Sequence, residues 1–169
     1  MDSDKPEPAH LDLSALLEGL CKEKIAFILV GGLAAVIQGA PITTLDVDIV
    51  HQQTVENIQK LDRFLKSSDA RYRRPDHKDI RPRTDDLKGK GHLLLTTKTG
   101  PLDILATIEK GRNYEALLPH TVEIEFRGHQ LRLLHLETLI ALKKGTKDAK
   151  DLQRLPILEE TAKQLRKTK

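Results

Sequence analysis

Asp46 and Asp48 alternate with Leu45, Val47 and Ile49 in a stretch that ends at Val50. A period of two sends both carboxylates to one face of a strand and the aliphatic residues to the other. Like charges held that close raise each other's pKa unless something positive lies between them, and a divalent cation is the usual answer. Upstream, an apolar run from Ile25 to Val30 stops at Gly31 and Gly32, the pattern of a buried strand delivered into a turn. Where a glycine pair leads a strand into a helix, open backbone N–H groups bind phosphate well. Phosphate donors and metal-holding acids thus lie one hairpin apart. The plain alternative is a tight turn beside a solvated acidic strand face.

Other residues invite the same question. Asp103 stands between Leu102 and Ile104 in a strand expected from Leu102 to Ala106, where it is either a hydrogen-bonded structural acid or a third carboxylate of a metal site. Leu136, Leu139, Ile140 and Lys143 fall at i, i+3, i+4 and i+7 of a helix, so a lysine occupies an apolar stripe. Lys143 either snorkels to the surface or reaches the acids to hold a triphosphate. Asp148 likewise lines up with Leu152 and Leu155, and a Lys143–Asp148 pairing across a bend at Gly145 would satisfy both charges. Between Asp69 and Gly91 the chain carries Arg71, Arg73, Arg74, Lys78, Arg81, Arg83, Lys88 and Lys90, with Pro75 and Pro82 forbidding a continuous helix. That run is either a solvated surface or a track for the phosphates of an acceptor strand.

The elements that must position these groups follow in order. Residues 1–10 hold prolines and acids without an apolar pattern and are expected to form a flexible leader. Leu13, Leu16, Leu17 and Leu20 give one face of a helix that Asp12 can cap. A first strand closes at Val30, a short helix runs from Leu33 to Gly39, where Pro41 prevents its continuation, and a second strand spans Leu45 to Val50. A helix opens at Thr54 and ends near Ser67. Strands are expected at His92–Thr97, Leu102–Ala106, Thr121–Phe126 and His129–Leu134, with a helical piece over residues 113–118. The last helix is expected from Pro156 to about Lys167, with proline in its first turn.

Composition excludes several classes. The chain has 169 residues, 38% of them hydrophobic, which suits a single compact unit: a core over residues 11–134 and a helical lobe over 135–169. No apolar run approaches the roughly 20 residues needed to span a bilayer, and the first residues, acidic and proline-bearing, do not read as a signal peptide; a cytoplasmic location and no membrane partner are expected. One cysteine, Cys21, excludes an internal disulfide, and the seven histidines show no zinc-binding spacing. A net charge of +3 is compatible with a nucleotide or nucleic-acid partner, while 3% aromatics and no Trp leave no stacking platform for bases. No Gly-x4-Gly-Lys-Ser/Thr loop is present, which sets aside a P-loop NTPase.

The combined unit, an apolar run, Gly31-Gly32, thirteen residues, then Asp46-Val47-Asp48-Ile49, resembles the signature of the polymerase-β-type nucleotidyltransferase superfamily. TTKTGPLDIL around Asp103 and LKKGTKDAKDLQRL after Lys143 resemble the third-acid and C-terminal segments of the abortive-infection nucleotidyltransferase toxins and their minimal relatives. The resemblance implies an α/β (α+β) fold with a mixed twisted sheet flanked by helices. It implies a catalytic set of Asp46, Asp48, Asp103 and Lys143, with nucleotide-binding residues Gly31, Gly32, Thr44 and Asp148, and it adds Asp151 to the site. It further implies two Mg²⁺ or Mn²⁺ ions on the three aspartates, transfer of a nucleoside monophosphate from an NTP such as ATP to a hydroxyl of RNA, tRNA, protein or a small molecule, and an antitoxin partner. Many of these relatives carry an arginine two residues before the threonine of the acid block, whereas Ile42 occupies that place here. This departure points to altered substrate choice or to a degenerate binding module on the same fold.

Overall fold

Residues 11–168 are described by the computed structural model of the chain; the leader expected over residues 1–10 lies outside them. Seven strands, β1 (Phe27–Val30), β2 (Val47–His51), β3 (Arg71–Tyr72), β4 (His92–Thr97), β5 (Gly100–Leu105), β6 (Thr121–Phe126) and β7 (His129–Leu134), form one mixed sheet in the order β3-β4-β5-β2-β1-β7-β6. Beside it lie α1 (Leu13–Lys22), α2 (Gly31–Ile37), α3 (Val55–Ser67), α4 (Tyr114–Leu117), α5 (Leu136–Lys143) and α6 (Ala149–Lys167).

The apolar run of β1 is central because both its edges are paired, antiparallel to β2 and parallel to β7. All four of its residues are buried, as expected of a strand covered on both faces. Ile49, Leu102 and Ile104 carry the same layer across β2 and β5, each with no exposed surface. Helix α1 begins at Asp12, whose side chain accepts from the Ala15 N–H, and α3 begins at Thr54, which accepts from Asn57 N–H. Burying Leu16, Leu17 and Leu20 of α1 and Ile58, Leu61 and Leu65 of α3 uses the apolar stripes read from the sequence. Cys21 is buried and free.

Several boundaries differ from expectation, among them that of β5, which runs over Gly100–Leu105 rather than Leu102–Ala106. Strand β2 starts at Val47 rather than Leu45, because its pairing with β1 ends at Val30–Asp48 and that with β5 begins at Val47–Leu102; Leu45, expected on the apolar face, is 63% exposed. Helix α2 starts at Gly31 rather than Leu33, so the glycine pair forms its first turn. It stops at Ile37, where Gly39 adopts φ 107° and the Ala40 N–H returns to the Ala35 carbonyl, a closure that suits glycine. Helix α6 starts at Ala149 rather than Pro156. Asp148 caps it by accepting from the Asp151 N–H, so the helix is established before the proline, which removes only the hydrogen bond to the Leu152 carbonyl. Among the described residues, no helix is long and apolar enough to cross a membrane.

The basic segment is more ordered than its charge suggests. Tyr72 donates its hydroxyl to Asp86 at 2.7 Å, Leu87 is wholly buried, and the Gln53 amide donates to the Leu87 and Gly89 carbonyls at 3.0 and 2.7 Å. Those ties hold a 3₁₀ turn over Thr84–Lys88 against the end of β2.

Candidate active site

Asp48 on β2 and Asp103 on β5 are register partners on neighbouring parallel strands, so their side chains leave the same face side by side. Asp46 lies just ahead of β2, two residues from Asp48, and shares that face. One carboxylate oxygen from each of the three lies within 4.8 Å of the others. The Asp48 carboxyl is pushed up to about 8, first by its burial and then by the charges of Asp46 and Asp103, the response of an acid crowded by acids.

Hard oxygen donors gathered from adjacent strands suit Mg²⁺ or Mn²⁺, and a cation between them would relieve the repulsion that Asp48 registers. Gly31 is part of the same construction. It adopts φ 71°, and a Cβ on it would lie 2.2 Å from Asp48 Oδ2, so the chain can pass behind the acids only as glycine. A Cβ on Gly32 would lie 3.0 Å from Thr44 Oγ1 and 3.1 Å from Arg154 Nη1. Thr44 donates to the Asp46 carbonyl at 3.4 Å, fixing the approach to β2.

Lys143, on the last turn of α5, reaches the site. Its Nζ donates to Glu109 Oε1 at 2.7 Å and lies 3.4 Å from Asp151 Oδ2. Burial would lower the Lys143 pKa, but Glu109 and Asp151 outweigh it and hold the ammonium charged. The partner of Lys143 is therefore Asp151 together with Glu109, not Asp148. Asp148 instead spends a carboxylate oxygen on the α6 cap, because a helix that begins at Ala149 requires an acceptor at that position.

Two cavities meet at the acids. The larger, about 530 Å³, is walled by Leu94, Leu105, Ile108 and Leu142, with His92, Thr107 and Glu109 as polar groups, and opens onto Asp48, Asp103 and Lys143. The smaller, about 250 Å³, lies over Gly31 and Gly32 and is lined by Ile42, Asp46, Asp148, Asp151, Lys150 and Arg154. Ile42 is thus part of the lining of the site.

Three groups escaped the sequence reading. Glu109 sits in an irregular turn with no periodicity to mark it. Arg73 donates its guanidinium to Asp103, a contact decided by β3 pairing with β4, which the charged composition concealed. Arg154 follows Asp151 by three residues and precedes Leu158 by four, so reading α6 from Ala149 would have put it on the cavity face.

Several other basic residues of this segment are paired. Arg71 pairs with Asp69 and Asp79, Arg81 with Asp69, Arg74 with Asp76 and Lys88 with Asp85. Lys78, Arg83 and Lys90 are exposed.

No family model matches the sequence, and no curated protein does. Solved structures do match the fold. The lincomycin-bound lincosamide antibiotic adenylyltransferase LnuA superposes with a TM-score of 0.61 at 13% identity, over 91% of this chain and 99% of that one. The antibiotic-resistance factor ANT(2'')-Ia gives 0.54 at 14%, over 92% and 88%. An antigenic nucleotidyltransferase-like protein from Paracoccidioides brasiliensis gives 0.51 at 17%, over 86% and 72%.

Proposed function

We propose that this chain, which has the polymerase-β-type nucleotidyltransferase fold, is a metal-dependent enzyme that moves a nucleoside monophosphate from an NTP to a hydroxyl acceptor. The observation that carries the proposal is the clustering of Asp46, Asp48 and Asp103 beside a glycine pair that opens α2. Fold alone leaves function open; a crowded, partly buried acid triad is an arrangement that stability would not maintain.

In this reading Asp46, Asp48 and Asp103 hold the divalent ions. Ions bound there would neutralise charge on the α-phosphate and lower the pKa of the attacking hydroxyl. The acceptor oxygen bonds to the α-phosphorus, the bond from that phosphorus to the oxygen bridging to the β-phosphate breaks, pyrophosphate leaves with the electron pair, and the hydroxyl proton passes to solvent. Gly31 and Gly32 present backbone N–H groups to the phosphates with no side chain in the way. Lys143, kept charged by Glu109 and Asp151, steadies the leaving group's growing charge. Thr44 and Asp148 border the nucleotide from the Asp46 side.

ATP as donor is supported by the adenylyltransferase activity named for LnuA. The larger cavity, apolar-walled and within the usual size range for small-molecule sites, favours a small hydroxyl compound over an RNA end. Release of labelled pyrophosphate from each of the four NTPs, with Mg²⁺ or Mn²⁺ and acceptor mixtures of small alcohols or total RNA, tests the proposal. Release that disappears in Asp46→Ala supports it. Undiminished release in that variant sinks it, and tight NTP binding without release by the wild-type protein would instead make the chain a binding module.

A further inference from the structure

The reading above leaves Arg154 without a role, although its position is unusual. It projects from α6, the helix that Asp148 caps and that also carries Asp151, and its guanidinium donates to the Thr43 carbonyl. The same group passes 3.1 Å from the position of a Gly32 Cβ. Among the described residues it has no carboxylate partner, whereas Lys143 is held by Glu109 and Asp151 and Arg73 by Asp103. One hydrogen bond to a carbonyl uses one of the five N–H donors of a guanidinium. The rest stand at the rim of the smaller cavity, beside the exposed Lys150.

An arginine left unneutralised among five aspartates, with its donors directed over a glycine pair, has the geometry for a polyanion that lies across those glycines. Planar, forked donors match phosphate oxygens two at a time, and the fixed charge needs no proton to act. Glycine at position 32 serves the same end, since a methyl group there would press on the guanidinium.

We infer that Arg154 binds the anionic tail of the nucleotide, the β- and γ-phosphates, and so supplies from α6 the charge that Ile42 does not supply from the loop before β2. The inference rests on the nucleotidyltransferase reading and goes beyond it by assigning the triphosphate subsite to the C-terminal helix. It follows that α6 is part of the substrate site and that NTP is distinguished from NMP through this residue.

Calorimetric titration with the four NTPs, the matching NMPs and inorganic tripolyphosphate, in the presence of Mg²⁺, tests it on wild type, Arg154→Gln, Arg154→Lys and the control Arg166→Gln, which alters an arginine of the same helix paired with Glu137. Arg154→Gln should weaken the preferred NTP and tripolyphosphate by about tenfold or more while leaving the NMP within about threefold, with Arg154→Lys between and Arg166→Gln unchanged. Equal weakening of NTP and NMP would make Arg154 a structural residue and overturn the inference, as would unaltered NTP binding in Arg154→Gln. Wild-type protein that binds neither NTP nor tripolyphosphate would remove the nucleotidyltransferase reading itself, and this inference with it.

Discussion

Asp48 and Asp103 face each other across the parallel pairing of β2 and β5, 55 positions apart in the chain and adjacent on the sheet. Parallel register puts equivalent side chains on the same face at a single strand spacing, and with Asp46 completing the cluster the repulsion among them is built into the backbone.

Removing an acid should therefore separate chemistry from stability. Asp46→Ala, Asp48→Ala and Asp103→Ala are each expected to lower pyrophosphate release by on the order of a thousandfold or more, while the thermal midpoint of the metal-free protein stays level or rises. Release kinetics beside thermal melts in EDTA check this; a variant that loses both activity and fold would move that aspartate from the catalytic set to the scaffold.

The pH dependence has a definite sign. A carboxyl whose native pKa stands near 8, above its unfolded value, binds more protons folded than unfolded, so its contribution is complete below about pH 4 and is lost as pH rises toward 8. In EDTA, the melting temperature of Asp48→Asn should overtake that of wild type progressively between about pH 5 and pH 8. Added Mg²⁺ should raise the wild-type midpoint more at the upper end of that range. A gap between the two proteins that does not change with pH would contradict the crowding of Asp48.

Gly31→Ala should be the costliest single methyl in the molecule. It meets Asp48 Oδ2 at 2.2 Å in a left-handed backbone conformation, and strain of that kind costs about 1–3 kcal/mol before any clash is counted. Urea denaturation should show at least that loss, together with a diminished Mg²⁺-dependent shift. Gly32→Ala, whose contacts are 3.0 Å or longer, should fold better than Gly31→Ala.

Arg73 competes with any cation for Asp103. Because its side chain is about a third exposed, solvent screens the pair and its net worth is modest. Arg73→Ala should consequently bind Mg²⁺ severalfold more tightly, seen as a lower midpoint in a metal titration followed by melting temperature. Weaker binding would mean that Arg73 orients Asp103 for the metal instead of occupying it.

Lys143→Ala removes a cation that pairs with both Glu109 and Asp151. Glu109 is exposed and Asp151 half-buried, so water takes over much of the lost pairing and stability should fall by no more than about 1 kcal/mol, while activity should fall further than stability accounts for. Equilibrium unfolding compared with the rate of pyrophosphate release distinguishes the two losses.

Much of this was legible in the order of residues. The alternation of Asp46 and Asp48 with aliphatics, the glycine stop after an apolar run, and the leucine stripes of α1 and α3 are local patterns, and local periodicity determines which face of an element is polar. Capping by Asp12 and Thr54 was legible for the same reason. The start of α6 was misread because Pro156 is a strong local signal for a first turn and drew attention from the equally local cap at Asp148, whose side chain reaches forward to the Asp151 N–H. Leu45 was misread because a strand extends only as far as its neighbours pair with it, and those neighbours lie elsewhere in the chain.

The sequence by itself determined most of the elements, the acid-bearing face of β2 and the glycine pair beside it. Only the tertiary structure decided which charges meet: Asp103 with Asp48 through strand order, Lys143 with Glu109 and Asp151 instead of Asp148, Arg73 on Asp103, and Arg154 over Gly32. The physical reason is range. Propensity and periodicity act over a few residues, while an ion pair or a cavity rim is assembled from segments whose separation along the chain carries no information about their distance in space.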